Sequence, residues 1–332
     1  MAESIINSGF FAWCMDVLRK LEAIRTPLMD KVMSIITVLG EEMAFIVIGL
    51  IIIWCVNKKN GYRFIFMYML GAAFNQIVKA IFMIPRPWVI DKNLTIVEAA
   101  RGSATGFSFP SGHTQSAVLM YGGIASMIKK RGKVIIAILA VLLMLAVGFS
   151  RMYLGVHTPL DVGVSLVTGA IILLIVMRGD GSFAENKKFY LIATGLVGLA
   201  VVWLLIYIYT VCAKAEIPFY SAVEKQEMTV LCAKDAWTLL GTILGLLLGY
   251  FVETNYVKFS PKAVWWVQII KVVVGLAVII GLRVALKGLL AMISESEAMN
   301  CIRYFILAFV GLAVLPLAFK PLSKIGRKHA EE

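Results

Sequence analysis

Long apolar runs recur along the whole chain and alternate with short polar segments. A helix that crosses a bilayer needs about 20 mostly apolar residues, and the pattern predicts nine such helices. Glu41 and Glu42 interrupt the first one, and a carboxylate in lipid is unfavourable unless it faces protein, so eight spans remain an alternative. The predicted spans are 32–56, 62–84, 109–128, 133–152, 158–177, 188–211, 235–252, 264–286 and 300–320. The sequence therefore predicts an all-α, polytopic membrane helix bundle.

Composition excludes a soluble globular protein. Of the 332 residues, 60% are hydrophobic and 16% are charged, whereas soluble domains contain about 25% charged residues. The net charge of +12 does not indicate nucleic-acid binding, because the apolar spans leave little solvated surface for such a partner. We expect no nucleic-acid partner, and nothing in the sequence indicates an oligomeric state.

Half of the 32 Lys and Arg residues lie in short segments on one side of the predicted membrane. Such residues mark the cytoplasmic side, so we expect a cytoplasmic C-terminus and, with nine spans, an N-terminus outside. Segments 85–110 and 153–157 then lie at the outer face. The basic segments are 57–63, 129–133, 178–188, 253–263 and the tail from residue 320.

The polar segments divide the chain into four regions. Residues 1–31 mix charged and aromatic side chains without a signal-peptide pattern, which is typical of an interfacial amphipathic segment. Residues 32–211 form the predicted membrane core and 212–234 an outer loop. Residues 235–332 form a C-terminal membrane extension with a basic cytoplasmic tail.

The five cysteines are widely spaced and contain no CxxC pair, so no zinc or redox motif is indicated. Cys212 and Cys232 bracket the predicted outer loop. An oxidising outer compartment permits a disulfide between them, and two free, buried thiols fit the sequence equally well.

Two cations stand at the end of the second predicted span, in the sequence KAIFMIPRP. Lys79 and Arg86 are seven residues apart, which is two helical turns, so both lie near one helix face. The prolines on either side of Arg86 end the helix there. The alternative is that both side chains have no functional role and only extend their charged ends to the membrane interface.

The third predicted span opens with GFSFPSGHT. Ser111, Gly112 and His113 form its first turn, where free backbone N–H groups and the helix dipole attract anions. Gly112 lets an anion approach the backbone. Ser111 is equally explained as a helix N-cap, but an N-cap does not explain a histidine at the membrane edge.

The fifth predicted span follows the sequence SRMYLGVHTPLD. Asp161 lies four residues after His157 on the same helix face, where a carboxylate can accept one ring N–H and leave the other nitrogen free to attack. Thr158, Pro159 and Asp161 also fit a plain helix start, with a cap, a proline and an acid in the first turn. Both interpretations can hold together.

Two of the three histidines therefore lie at helix starts on the same outer face as Lys79, Arg86 and Arg151. Three cations and a helix N-terminus describe a site for a multiply charged anion such as phosphate. The third histidine, His329, lies in the basic tail and is expected to be a solvated bystander.

These three segments resemble the signature of the type 2 phosphatidic acid phosphatase superfamily, K-x6-R-P, P-S-G-H and S-R-x5-H-x3-D, without a departure. The resemblance covers roughly 60–212 and leaves spans seven to nine without a role. It implies an integral-membrane phosphatase; by the apolar pattern, a phosphatase core of about six helices is followed by three C-terminal helices.

The resemblance also implies a mechanism. His157 is the nucleophile that forms a phosphohistidine, Asp161 orients it, and His113 protonates the leaving alcohol. The residues expected to hold the phosphate are Lys79, Arg86, Ser111, Gly112 and Arg151. We expect no metal and no cofactor, because three cations neutralise the phosphate, and donors fixed in this way are usually the largest catalytic contribution.

The leading hypothesis is a phosphatase for a lipid phosphomonoester or pyrophosphate at the outer face. A soluble ester such as a sugar phosphate is the alternative, since nine spans also resemble glucose-6-phosphatase relatives. A lipid transporter or flippase is a different class, suggested by Lys271 and Arg283 within one apolar span. Vanadate-dependent haloperoxidases share the signature but are soluble. Gly241, Gly245 and Gly249 indicate close helix packing rather than function.

Overall fold

The computed structural model describes residues 2–128, 132–178, 182–322 and 325, and every regular element in these ranges is helical. The predicted fold class is therefore confirmed. The basic residues 129–131 and most of the predicted tail, including His329, lie outside the described residues. The helices are α1 (Ala2–Ile6), α2 (Gly9–Ala23), α3 (Pro27–Val38), α4 (Glu42–Ile51), α5 (Lys58–Phe82), α6 (Pro87–Ile90), α7 (Gly112–Met127), α8 (Lys133–Tyr153), α9 (Pro159–Met177), α10 (Ser182–Glu185), α11 (Lys187–Tyr207), α12 (Ala222–Val252), α13 (Trp265–Ala291), α14 (Met299–Phe309) and α15 (Leu315–Leu322).

Each of four helices is followed directly by one turn of π-helix. These turns are Ile52–Val56 after α4, Ile208–Cys212 after α11, Glu253–Val257 after α12 and Val310–Val314 between α14 and α15. A short 3₁₀-helix, Glu98–Ser103, lies in the segment between α6 and α7.

Seven helical segments in the described part of the chain are long and apolar enough to cross a membrane, and α3 with α4 makes an eighth if this broken pair is one span. The break lies at 39–41, next to the two glutamates that interrupt the apolar pattern. The remaining predicted span, 109–128, corresponds to α7, whose 16 residues reach only about 24 Å at 1.5 Å per residue. That is shorter than the roughly 30 Å hydrocarbon core.

The predicted outer loop 212–234 needs correction, because α12 already begins at Ala222. Its start is a capping box: the Ser221 backbone N–H donates to the Glu224 carboxylate (2.8 Å), and the Glu224 N–H donates to Ser221 Oγ (3.3 Å). No Gly or Pro follows until residue 241. The first part of α12 is polar, so a search for apolar runs does not detect it. The loop is therefore 213–221.

The chain divides into two compact units. The first unit comprises Met1–Phe45, Leu70–Met177 and Trp203–Ala233. In it α7 packs between α8 and α9, and α3 packs on α8. The second unit comprises Ile46–Met69, Arg178–Val202 and Lys234–Glu332.

The helix α2 belongs to the core of the first unit. Phe11, Met15 and Leu18, spaced along one face, are buried against Ile84 and other residues of the segment between α5 and α7. Phe10 and Trp13 on the other side of α2 are exposed. Helix α2 therefore covers the loops that follow α5, and its predicted position at the membrane interface stays a prediction.

In the second unit, the glycine repeat of α12 lies against α14 and the turn after it. A Cβ at Gly241 would overlap Cys301, one at Gly245 would overlap the Phe305 carbonyl, and one at Gly249 would lie 2.8 Å from Leu312 Cβ. The interpretation of these glycines as a close packing surface is confirmed.

Lys271, which suggested a transport route, is buried in the second unit and fully bonded. Its ammonium group donates to the carbonyl oxygens of Pro261 (3.0 Å) and Trp54 (3.3 Å) and to Gln268 Oε1 (3.1 Å). It therefore ties the start of α13 to the turn after α4, which is a structural role.

Candidate active site

All eight predicted site residues lie in the first unit, at the ends of five helices. Lys79 lies in the last turn of α5, and Arg86 precedes α6. Ser111, Gly112 and His113 form the start of α7, Arg151 lies in the last turn of α8, and His157 and Asp161 flank the start of α9. The positive charges of Arg86, Arg151 and Lys79 all act on His157, as does His113, so the structure brings the three motifs together.

The protonation state of His157 follows from its two ring contacts. Arg86 Nη1 lies 2.9 Å from His157 Nε2, and because a guanidinium only donates, Nε2 carries the lone pair. The ring proton is therefore on Nδ1, which lies 3.4 Å from Asp161 Oδ2. Burial, followed by the charges of Arg86, Arg151 and Lys79, holds the pKa of His157 well below its usual range. The imidazole is thus neutral at neutral pH, with the lone pair on Nε2, as the predicted role of nucleophile requires.

Asp161 is held by donors other than His157. Its Oδ2 accepts from the Ser108 hydroxyl (2.6 Å) and from the Thr158 backbone N–H (2.7 Å). The Asp161 N–H donates back to Thr158 Oγ1 (3.2 Å), so Thr158 and Asp161 form a capping box and the predicted helix start is confirmed. The role of Asp161 in orienting His157 stays a prediction, and Ser108 was not predicted.

Arg86 is fixed by backbone carbonyl groups on two sides. Its Nε donates to the Gly106 carbonyl (2.9 Å), Nη1 donates to the Val156 carbonyl (3.0 Å), and Nη2 donates to the Thr105 carbonyl. The guanidinium therefore joins the loop before α7 to the turn that carries His157. The indole of Trp88 lies beside it, with Arg86 Cζ 5.8 Å from the ring centroid.

The first turn of α7 leaves space for a ligand. Ser111 caps the helix by accepting from the Thr114 N–H (3.4 Å) and hydroxyl (2.9 Å), so its predicted capping role is confirmed. A Cβ at Gly112 would meet only Asn75 Oδ1, at 3.7 Å, so protein packing does not require glycine there. The helix itself supplies no acceptor for the N–H groups of Gly112 and His113.

Arg151 is fully buried and presents two of its nitrogens without a protein partner. Its Nη1 donates to Thr37 Oγ1 (2.8 Å) and to Ser103 Oγ (3.1 Å). Its Nε and Nη2 are buried without a hydrogen bond to any described residue, as is His113 Nε2. Buried donors without a partner are rare in proteins, and these three nitrogens have the hydrogen-bonding capacity that the predicted phosphate site requires.

We expect the Thr37→Val substitution to lower kcat/KM about 10-fold, because it removes one of the two hydroxyl groups that orient the Arg151 guanidinium. Steady-state phosphate release measures the effect. Thr37→Ser, which keeps the hydroxyl, is the matched control and is expected to retain most of the activity. Equal losses in both variants would show that Thr37 acts through packing alone.

Five polar residues around the site were not predicted from the sequence. Three of them, Thr37, Ser103 and Ser108, bond to Arg151 or Asp161. The other two are Asn75, one turn before Lys79, and Gln115, which accepts from the Asn75 amide (2.8 Å). No spacing rule joins residues on different helices or loops, so none of these residues carries a usable signal in the sequence.

The predicted disulfide alternative is corrected by the structure, in which none of the five cysteines forms a disulfide. The Cys212 thiol donates to the Ala80 carbonyl (3.4 Å). A Cβ placed at Gly106 would lie 3.7 Å from Cys232 Sγ, so Cys232 packs against the loop before α7. The two sulfur atoms are therefore buried at separate places in the first unit.

Two family models match the chain, one on each side of the loop 213–221. Residues 60–182 match the PAP2 superfamily. Residues 237–328 match the transmembrane extension of PAP2 superfamily phosphatases. The second match assigns the C-terminal helices to this transmembrane extension, whereas the sequence motifs left them without a role.

Curated relatives are phosphate hydrolases by name. The chain is 30% identical over 156 residues to undecaprenyl-diphosphatase BcrC of Bacillus subtilis, covering 45% of this chain and 74% of that protein. It is 28% identical over 175 residues to phosphatidylglycerophosphatase B of the same organism, covering 50% and 82%. It is 27% identical over 168 residues to a probable sphingosine-1-phosphate phosphatase of Dictyostelium discoideum, covering 48% of this chain but only 40% of that protein.

Among solved structures, the PAP2-type phosphatidylglycerolphosphate phosphatase from Bacillus subtilis aligns with a TM-score of 0.45 and 23% identity, over 57% of this chain and 92% of that one.

The helical membrane fold and the names of these relatives define a class, the multi-pass membrane phosphatases. Within this class, the chain belongs to the PAP2 superfamily.

Proposed function

We propose that this protein hydrolyses a lipid phosphomonoester or pyrophosphate at the outer membrane face, through a phosphohistidine on His157 and without a metal. The observation that carries the proposal is the state of His157. Its Nε2 lone pair faces Arg86 at 2.9 Å while Asp161 stands at Nδ1. This is the arrangement of a nucleophile beside a cation that can hold the group under attack.

In the first step, His157 Nε2 attacks phosphorus and the bond from phosphorus to the alcohol oxygen breaks. His113 Nε2 gives its proton to that oxygen, and Asp161 stabilises the charge that develops on His157. The Arg86 Nη1 proton, which faces Nε2 in the free enzyme, turns to a phosphoryl oxygen. Arg151, Lys79 and the start of α7 supply the remaining donors.

In the second step, His113 takes a proton from water, whose oxygen attacks phosphorus. The P–N bond then breaks, the electron pair returns to His157, and inorganic phosphate leaves. Covalent catalysis of this kind divides one difficult displacement into two easier ones. The proton that His113 takes from water is the one that it gives to the next substrate, and the bound substrate dianion stabilises this proton at a helix N-terminus that otherwise disfavours positive charge.

A lipid substrate fits both the fold and the relatives. The chain is a multi-pass membrane protein, and three curated relatives are named for lipid phosphates or diphosphates. The basic segments support an outer-face site, since Lys and Arg in short loops mark the cytoplasmic side. A headgroup at such a site reaches the catalytic residues while its tail stays in the bilayer.

We expect the purified protein to release inorganic phosphate from lipid phosphates in the presence of EDTA. A panel of phosphatidate, phosphatidylglycerophosphate, isoprenyl monophosphate and diphosphate, a sphingoid phosphate and glucose 6-phosphate distinguishes a lipid substrate from a sugar phosphate. Loss of all activity in EDTA would contradict the metal-free mechanism. Activity on glucose 6-phosphate alone would contradict the lipid assignment.

A further inference from the structure

The loop 213–221 contributes one aromatic side chain to the surroundings of the active site. This loop lies outside both family matches, because the first match ends at residue 182 and the second begins at residue 237. It belongs to the same compact unit as the eight site residues. Its last aromatic residue, Tyr220, directly precedes the capping box that starts α12.

The phenol of Tyr220 lies beside the loop that holds Arg86. The groups that act on it electrostatically include the Arg86 guanidinium, the Arg86 backbone N–H and Cys232. Cys232 in turn packs near Gly106, whose carbonyl accepts from Arg86 Nε at 2.9 Å. Tyr220 thus stands next to the cation that faces the nucleophile.

The Tyr220 hydroxyl is buried, the Arg86 backbone N–H faces its oxygen, and the described residues offer no acceptor for its proton. Burial raises its pKa to about 12, so at neutral pH the hydroxyl is a neutral donor. Nearly all buried polar atoms have a partner in native structures. A donor without one, beside the residue that binds the phosphate, is explained by a partner that arrives with the substrate.

The same loop lines a cavity of about 460 Å³ at the outer end of α5. One wall is the stretch 81–83, which lies between Lys79 and Arg86. The other walls are 216–218 of the loop and the first turn of α1. Among the described residues that line it are two carboxylates, Glu3 and Glu216, and no lysine or arginine. Such a lining accepts a neutral or cationic headgroup and disfavours a second phosphate.

We propose that Tyr220 is a specificity-determining residue: its hydroxyl donates a hydrogen bond to an oxygen of the lipid alcohol beyond the phosphate ester bond, and this polar part of the alcohol, here called the headgroup, occupies the cavity. The preferred substrate is then a phosphomonoester with an oxygen-bearing, uncharged or cationic headgroup, rather than a diphosphate. This inference rests on the proposed function.

The test is Tyr220→Phe, which removes the hydroxyl and keeps the ring. It is assayed on phosphatidate and on a long-chain alkyl phosphate, which has no oxygen beyond the ester. We expect kcat/KM for phosphatidate to fall about 10-fold, the loss of one good hydrogen bond. We expect the alkyl phosphate rate and the inhibition by inorganic phosphate to stay unchanged. Tyr209→Phe, in an exposed position, is the matched control.

Equal losses on both substrates, weaker inhibition by inorganic phosphate, or no loss on phosphatidate would each overturn the assignment of Tyr220. A second variant, Glu216→Lys, tests the cavity through its charge. We expect it to raise the ratio of isoprenyl diphosphate to phosphatidate turnover about 5-fold, and an unchanged ratio would overturn the placement of the headgroup. If the proposed function itself is wrong, the unmodified protein will hydrolyse no lipid phosphate, a result that is distinct from these.

Discussion

Replacing His157 with glutamine is expected to abolish phosphate release from every substrate, by a factor of about 10⁴ or more. The amide can still accept a hydrogen bond from Arg86, which lies 2.9 Å from Nε2, but it cannot form a bond to phosphorus. The other donors of the site remain, so binding survives while the covalent step is lost. Phosphate release with phosphatidate as substrate measures the effect.

Two controls make this result specific. His329→Gln is the same chemical change at a histidine expected to be a bystander, and it should leave turnover unchanged. In the unmodified protein, brief reaction with substrate labelled at phosphorus should leave an acid-labile, base-stable label on His157. Retained turnover in His157→Gln, or a label on another residue, would contradict a mechanism through a phosphohistidine on His157.

The transporter hypothesis gives the opposite expectation for the same variant. If the site only bound a headgroup, flipping of labelled lipid in liposomes would survive the loss of His157. The structure gives this hypothesis little support, because Lys271, which suggested it, is bonded to two backbone carbonyls and a glutamine.

The parts of the site that depend on local sequence were predictable. Helix caps are set by neighbours three or four residues apart, and both Ser111 and the pair of Thr158 and Asp161 lie where the sequence placed them. The spans α8 and α9 also follow the predicted boundaries within a residue or two. Apolar runs and capping residues carry this information because both act over one or two helical turns.

The supporting contacts were not predictable, since they join residues that are far apart in the chain. Thr37 reaches Arg151 across 114 positions, and Ser108 reaches Asp161 across 53. A threonine in an apolar helix and a serine in a loop carry no local sign of such a role. The early start of α12 was missed for another reason, because its first turns are polar and apolar runs alone do not reveal them.

A shared feature of these unpredicted contacts is that each leaves a group of the proposed site incompletely bonded. Thr37 and Ser103 occupy only one nitrogen of Arg151, and Ser108 and Thr158 occupy only Oδ2 of Asp161, while Oδ1 has no partner among the described residues. Such groups are fixed in direction yet keep hydrogen-bonding capacity. That is the condition for stabilising charge in a transition state without reorganisation.

His113→Gln is expected to lower kcat for alkyl phosphates by about 10²- to 10⁴-fold, the usual range for loss of a general acid. His113 Nε2 is buried and has no partner among the described residues, as expected for a donor that waits for the leaving oxygen. A nitrophenolate leaves without protonation, so the first step with p-nitrophenyl phosphate should remain fast. This contrast separates proton donation from a role in binding.

The second step then becomes limiting in His113→Gln, because no base remains to take the proton from water. With p-nitrophenyl phosphate we expect a burst of one nitrophenolate per enzyme, followed by slow turnover while the phosphoenzyme accumulates. His157→Gln should show neither burst nor turnover, which makes it the matched control. Equal losses on alkyl and aryl phosphates, without a burst, would show that His113 does not transfer the proton. Since the N-terminal turn of α7 opposes a positive charge on His113, the proton donated in the first step must be held there by the substrate dianion itself. His113 is then protonated to a greater extent in the enzyme–substrate complex than in the free enzyme.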